Sequence, residues 1–206
     1  MRMQPESITN DQLEKLGNTI LYLASTIYEP NKTKMLKLIY LCEEVSVKRH
    51  GVPFFGVDFF AWKWGPVQTH VWENLDIKAY DEGSTTFSKF VTCTKEDAQN
   101  SRISVLPAGT FSDDEFSEND LKILSEIAEK YKSAEAKHLV DITHRAGSLW
   151  YNTVKKEEGL MEKFEHEQQS TSAHRLDFSE LLEEGSLKNK YKESVDFSNF
   201  SNPLKK

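Results

Sequence analysis

Histidines, cysteines and hydroxyl residues are where a chain of this composition would do chemistry, and their spacing argues against most of it. His50, His70, His138, His166 and His174 show neither a His-Glu-x-x-His pair nor any paired zinc spacing. His138 and Asp141 stand three apart on one helix face, as a surface pair would. Cys42 and Cys93 are isolated, which supports neither a disulfide framework nor a zinc ribbon, and Cys42 falls in an apolar run as a small core residue. His144, with Trp150 six residues on, invites a catalytic role. A nucleophile, however, needs a base within reach and a third group to orient it, and no Ser, Cys or Thr has that context. His144 is expected to be structural, near a helix end. Gly51 and Gly56 flank VPFF, which is neither a phosphate-cradling loop nor a dinucleotide fingerprint. The expectation is a chain with no catalytic residue, no metal and no cofactor, and not an enzyme.

Binding is the remaining chemistry. Residues 59–67 read FFAWKWGPV, with Trp72 close behind. Tryptophan is enriched in interface hot spots, so Trp62, Lys63, Trp64 and Trp72 are the candidate partner-binding residues. General burial tendencies favour core for the tryptophans, with Trp64 the more exposed of the first pair and Lys63 solvated or snorkelling. Lys32, Lys34 and Lys37 give the preceding helix a basic start, read as a solvated face.

Composition narrows the partners. The chain has 206 residues, 38% apolar and 29% charged, and a formal net charge of -7. That balance disfavours general phosphate-backbone binding, which needs clustered Lys and Arg. MRMQPESITND lacks the apolar core of a signal peptide and no stretch is apolar enough to span a bilayer, so a cytoplasmic location without membrane contact is expected.

The elements that must hold these residues are mainly helical. Thr9 and Gln12 have capping-box spacing ahead of Leu13, Leu16, Ile20, Leu23 and Ile27. Asn31 can cap a second helix to about Arg49, whose broad apolar face predicts packing on more than one side, with Gly51 as its stop. Residues 58–64 read as extended or, nearly as well, helical, and Pro66 is placed to start the next helix. FVTCT (90–94) and RISVL (102–106) predict a small antiparallel hairpin around KEDAQN. Ser117 and Asp120 repeat the capping box, and Ser133 is the predicted cap of a further helix ending near Gly147 and Trp150. The expected fold is mainly α, a compact helical bundle-like domain with that hairpin. Residues 1–155 form the domain, and 156–206 a polar C-terminal extension, partly helical or disordered.

Three segments together resemble a known family: KTKMLKLIYLCEE at 32–44, DFFAWKWGPV at 58–67 and FSENDLKILSEIAEKYKSAEAKHLVDITHRAGSLW at 116–150. They are similar to the Panacea domain, the SocA-like antitoxin domain also found in phage GepA-like proteins. Lys37, Leu38, Tyr40, Leu41, Ala61, Trp62, Gly65, Pro66, Val67, His144 and Trp150 fall on its signature positions. Cys42-Glu43-Glu44 and Trp64 depart from the usual pattern, where a small residue and an acid, and a tyrosine, are common. The resemblance implies an antitoxin of a bacterial or prophage toxin–antitoxin system. It would neutralise a cognate protein toxin, encoded next to it, by direct contact or by delivery to a protease. The alternative class is a DNA-binding regulator, its helices and hairpin acting as a winged helix, with its own operon as a target.

Overall fold

The computed structural model describes residues 8–95 and 102–201. Helix α1 spans Asn10–Thr26 and begins with the expected capping box: the Thr9 side chain accepts from the Gln12 backbone while the Gln12 side chain accepts from the Thr9 backbone. The same Gln12 amide donates to the Phe55 and Gly56 carbonyls at 3.2 and 2.8 Å, so the cap also fastens a distant loop. Helix α2, Lys32–His50, is capped by Asn31 and closed by Gly51 in the left-handed region, with φ of 61°. Its amphipathicity is weak because neighbours cover it on several sides: α1, helices α5 (Glu118–Lys130) and α6 (Ala136–His144), strand β2 (Gly65–Val67) and a late 3₁₀ turn (Phe178–Leu181) all pack against it.

Strands β1 (Phe60–Trp62) and β2 (Gly65–Val67) form one antiparallel hairpin with Phe60 opposite Val67 and Trp62 opposite Gly65. Residues 58–64 are therefore not helical. Pro66 does not launch a helix either; it lies in the return strand, and α3 (Thr69–Asn74) is capped instead by the Gln68 side chain, which accepts from Val71 N–H at 2.8 Å. Helix α4 (Ile77–Asp81) follows. Strands β3 (Val91–Lys95) and β4 (Ile103–Pro107) form the second hairpin, as expected from the alternating runs. Most of its connecting segment, 96–101, lies outside the described residues.

Helix α5 (Glu118–Lys130) carries the predicted box between Ser117 and Asp120. Helix α6 (Ala136–His144) follows Glu135, which makes no side-chain capping bond, so Ser133 is not its cap. A turn intervenes, and Ser148 caps α7 (Leu149–Lys156) by accepting from Tyr151 N–H at 3.1 Å. Beyond residue 155 come α8 (Leu160–Glu165), a 3₁₀ turn (Phe178–Leu181) and α9 (Ser186–Ser201). Leu160, Phe164, Leu176, Phe178 and Leu182 in this part join the same buried cluster as Leu38, Ile39 and Tyr40 of α2. The fold is mainly helical with two small two-stranded antiparallel sheets among the described residues.

Residues 170–176 run along the free edge of β1. Ala61 N–H donates to the His174 carbonyl and Lys63 N–H to the Ser170 carbonyl, both at 2.9 Å, while Leu176 N–H donates to Phe59 at 2.8 Å. These bonds satisfy a strand edge that would otherwise be open. Among the described residues no helix is long and apolar enough to cross a membrane.

Candidate functional site

The β1–β2 hairpin is too short to hold itself, with three residues in each strand. Side chains from four directions fix it. From α7, Trp150 Nε1–H donates to the Trp62 carbonyl at 2.8 Å. From the end of α6, His144 places Nε2 3.1 Å from the Lys63 carbonyl oxygen and Nδ1 2.7 Å from that of Val140. The His144 and Trp150 rings lie 3.9 Å apart, centre to centre. From the C-terminal segment, Ser172 donates its hydroxyl to the Ala61 carbonyl at 2.5 Å, and Trp62 Nε1–H donates to the Ser172 carbonyl at 3.2 Å. From α2, Lys37 Nζ donates to the Pro66 carbonyl at 3.2 Å. Lys37, Ala61, Trp62, Gly65, Pro66, His144 and Trp150 are thus one contiguous constellation around the hairpin. Val67 is buried in the core, as is Tyr40, whose ring lies 5.9 Å from those of Phe59 and Phe178.

Gly65 is needed here twice. Its φ of 101° is one that L side chains rarely adopt, and a Cβ would stand 2.7 Å from Lys37 Nζ and 2.9 Å from His144 Cε1. The turn residues Lys63 and Trp64 project from this clamped base. Trp64 is 64% exposed, and Lys63 spans between its ring (Nζ 4.8 Å from the centroid) and Glu167 at 2.8 Å. Trp62 is buried, and Trp72, 40% exposed, meets it edge-on at 5.2 Å between centroids. The candidate binding residues therefore divide: Trp64 and Trp72 offer surface, Trp62 mostly supports them, and Lys63 braces Trp64.

A groove of about 1160 Å³ opens beside the hairpin, bordered by Trp62, Trp64 and Trp72 and, from the α1–α2 connection, by Tyr28, which is 67% exposed. The basic run at the start of α2 forms part of its wall and floor. Lys32, Lys34 and Lys37 are all buried, so the expectation of a solvated face is wrong. Lys32 pairs with Asp76 at 3.1 Å and lies 4.4 Å from the centre of the Trp72 ring; Lys34 donates to the Tyr28 carbonyl at 2.7 Å. Lys37 is 2% exposed, and burial alone lowers its ammonium to about 7. Burial also pulls His144 down, against the two carbonyls beside it, with the Lys37 charge pushing the same way as burial.

Tyr28, Lys32 and Lys34 belong to this groove and were not picked out by sequence as binding residues. Lys37 sits between Leu36 and Leu38 in an apolar stretch, a local signal that its charge is enclosed. Ser170 and Ser172 had no such signal, because their role depends on a strand more than a hundred residues away. Among the described residues no cluster of three or more His, Cys, Asp or Glu could hold a metal ion.

No curated protein and no solved structure matches the chain significantly. The family model described as "Antitoxin SocA-like, Panacea domain" matches residues 35–151. That span begins three residues into α2 and ends in α7, so it takes in the hairpin and each helix that clamps it. With more than half of its length so matched, the chain belongs to the SocA-like antitoxin family defined by the Panacea domain.

Proposed function

We propose that this chain neutralises a cognate protein toxin by direct contact, and that the groove beside the β1–β2 hairpin is where the toxin docks. The observation that supports this most is the gathering of three large exposed aromatics, Tyr28, Trp64 and Trp72, around one groove. Tryptophan and tyrosine at a surface lose little conformational freedom on binding and present both apolar area and a hydrogen-bonding edge. Trp64 gains most from its setting: the turn that carries it is held rigid from α2, α6 and α7, so docking need not order it. Family membership implies a toxin as the partner, and delivery of that toxin to a protease would start from the same docking step.

A DNA-binding role is less well supported. Helix α2, with basic residues at both of its ends, is the candidate recognition helix for such a role, and 13 of its 19 residues are buried. A helix so enclosed cannot lie in a groove of DNA.

The test is rescue. The gene neighbouring this one is induced in a bacterial host with and without this protein, and the two products are then co-purified. Relief of growth arrest together with a stable complex is the expected result. Trp64→Ala should fold normally and bind at least tenfold more weakly. A variant that folds and binds as well as the parent would remove the hairpin turn from the interface.

A further inference from the structure

Among the described residues Lys37 is a buried amine with no carboxylate beside it. Its ammonium has three N–H groups, and the Pro66 carbonyl is its one hydrogen-bond acceptor among the described residues. Lys32, a neighbour on the same helix, has Asp76 within 3.1 Å. Among the described residues no carboxylate pairs with Lys37, and burial is what lowers its ammonium. A buried charge left in this condition is costly unless something supplies the missing partner.

Its position says where that partner would come from. Lys37 lines the aromatic groove rather than a sealed void. Directly beside it Gly65 withholds a side chain, and a Cβ there would fall within 2.7 Å of Nζ. The groove lining carries five Lys or Arg side chains against two carboxylates, in a chain whose net charge is -7. This face is therefore cationic on an otherwise anionic protein, and the complement it calls for is acidic.

We propose that Lys37 is a carboxylate-binding residue at the floor of the groove, filled by an Asp or Glu side chain on the docking segment of the toxin. The carboxylate accepts from the two N–H groups of Lys37 not directed at Pro66, while Trp62 and Trp72 enclose the stem of the acidic side chain. The aromatic rim gives general docking area, and the lysine selects partners that place an acid at one position. This rests on the antitoxin reading above for the identity of the partner, though not for the existence of the carboxylate site.

Two arms separate the two ideas. In the first, the full chain carrying ¹³C-labelled lysine is titrated with a capped tripeptide, Leu-Asp-Leu, and with its Leu-Asn-Leu counterpart, at millimolar concentration. The Asp peptide should shift the Lys37 ε-carbon resonance and raise the midpoint of its titration by at least one pH unit; the Asn peptide should do neither. In Lys37→Met the affinity for the Asp peptide should fall at least tenfold. Equal responses to the two peptides, or no response, would overturn the carboxylate site. In the second arm the neighbouring gene's product is bound to parent and to Lys37→Met. Binding that Lys37→Met leaves unchanged refutes this site while the antitoxin reading stands. A selective response to the Asp peptide with no binding of the neighbouring product supports the site and removes the proposed partner.

Discussion

Replacing Lys37 with methionine should make this protein more stable near neutral pH, and the gain should shrink as the pH rises. Methionine keeps the length and most of the volume of the lysine stem, so the packing against α2's neighbours is preserved. What changes is the charge. Burial brings Lys37 down from 10.5 to about 7 in the native state. Below about pH 7 the amine is protonated in both folded and unfolded chains, and the whole desolvation cost weighs on the fold. Between about 7 and 10.5 the unfolded chain holds a proton that the native state has released, so the native state gains stability as the pH rises. A shift of this size corresponds to about 5 kcal/mol in the fully protonated limit, with about 4 kcal/mol acting near pH 7 and about 2 kcal/mol near pH 9.

The substitution also strips the Pro66 carbonyl of its lysine donor, which offsets about 1–3 kcal/mol of the gain at either pH. The difference between the two pH values is unaffected by that loss. His144, which approaches Gly65 as Lys37 does, is held below its ordinary 6.5 and so stays largely neutral over this window. Urea unfolding of parent and Lys37→Met near pH 7 and near pH 9 should therefore show the advantage of the variant falling by about 2 kcal/mol. An advantage that is the same at both pH values, or a variant less stable than the parent at both, would show that Lys37 is not a desolvated ammonium.

Three further outcomes follow from the same geometry. Glu43 is fully buried, accepts from Phe54 and Phe55 N–H at 3.1 and 2.8 Å, and is raised by burial to about 7. An unfolded glutamate has lost its proton above about pH 4.5 while this one keeps it to about 7, so stability relative to Glu43→Gln should fall by about 3 kcal/mol across that window and then level off; thermal melts at stepped pH would read it, and a flat difference would contradict it. Trp150→Phe leaves the Trp62 carbonyl without its indole donor and should cost about 1–3 kcal/mol in chemical denaturation, whereas a change within about 0.5 kcal/mol, the scatter of neutral surface substitutions, would mean that the bond does not hold the hairpin. Gly65→Ala should cost about 1–3 kcal/mol through its backbone conformation and disturb the amide signals of residues 62–67, Lys37 and His144; an unperturbed spectrum would refute the close approach.

Much of this fold was legible where the decisive contacts are local. Thr9, Asn31 and Ser117 announce helix starts because each satisfies a backbone donor three residues away, and Gly51 announces a stop through its own φ. The β3–β4 hairpin follows from alternation on either side of a polar connection. Ser133 misled because the same residue type suits a turn as well as a cap, and α6 starts three residues later, at Ala136.

The site was less legible for a different reason. Pro66 fits the first turn of a helix as far as its own φ and missing N–H are concerned. What places it in a strand is the distant set of Lys37, His144, Trp150 and Ser172, none of which can be seen from residues 59–67. The basic run of α2 likewise looked solvated because charge was visible and enclosure was not. Asp76 and the Tyr28 carbonyl are the partners that allow Lys32 and Lys34 to be buried.

Growth rescue decides whether the aromatic groove beside this hairpin is the surface where a toxin docks. The neighbouring gene is induced together with the parent chain or with a Tyr28→Ala, Trp64→Ala double variant, both of whose replaced side chains are mostly exposed. The parent should relieve growth arrest, and the double variant, with an unchanged melting curve, should fail to do so and lose at least 2 kcal/mol of binding free energy, roughly 30-fold in affinity. Full rescue and undiminished binding by the folded double variant would contradict docking at this groove.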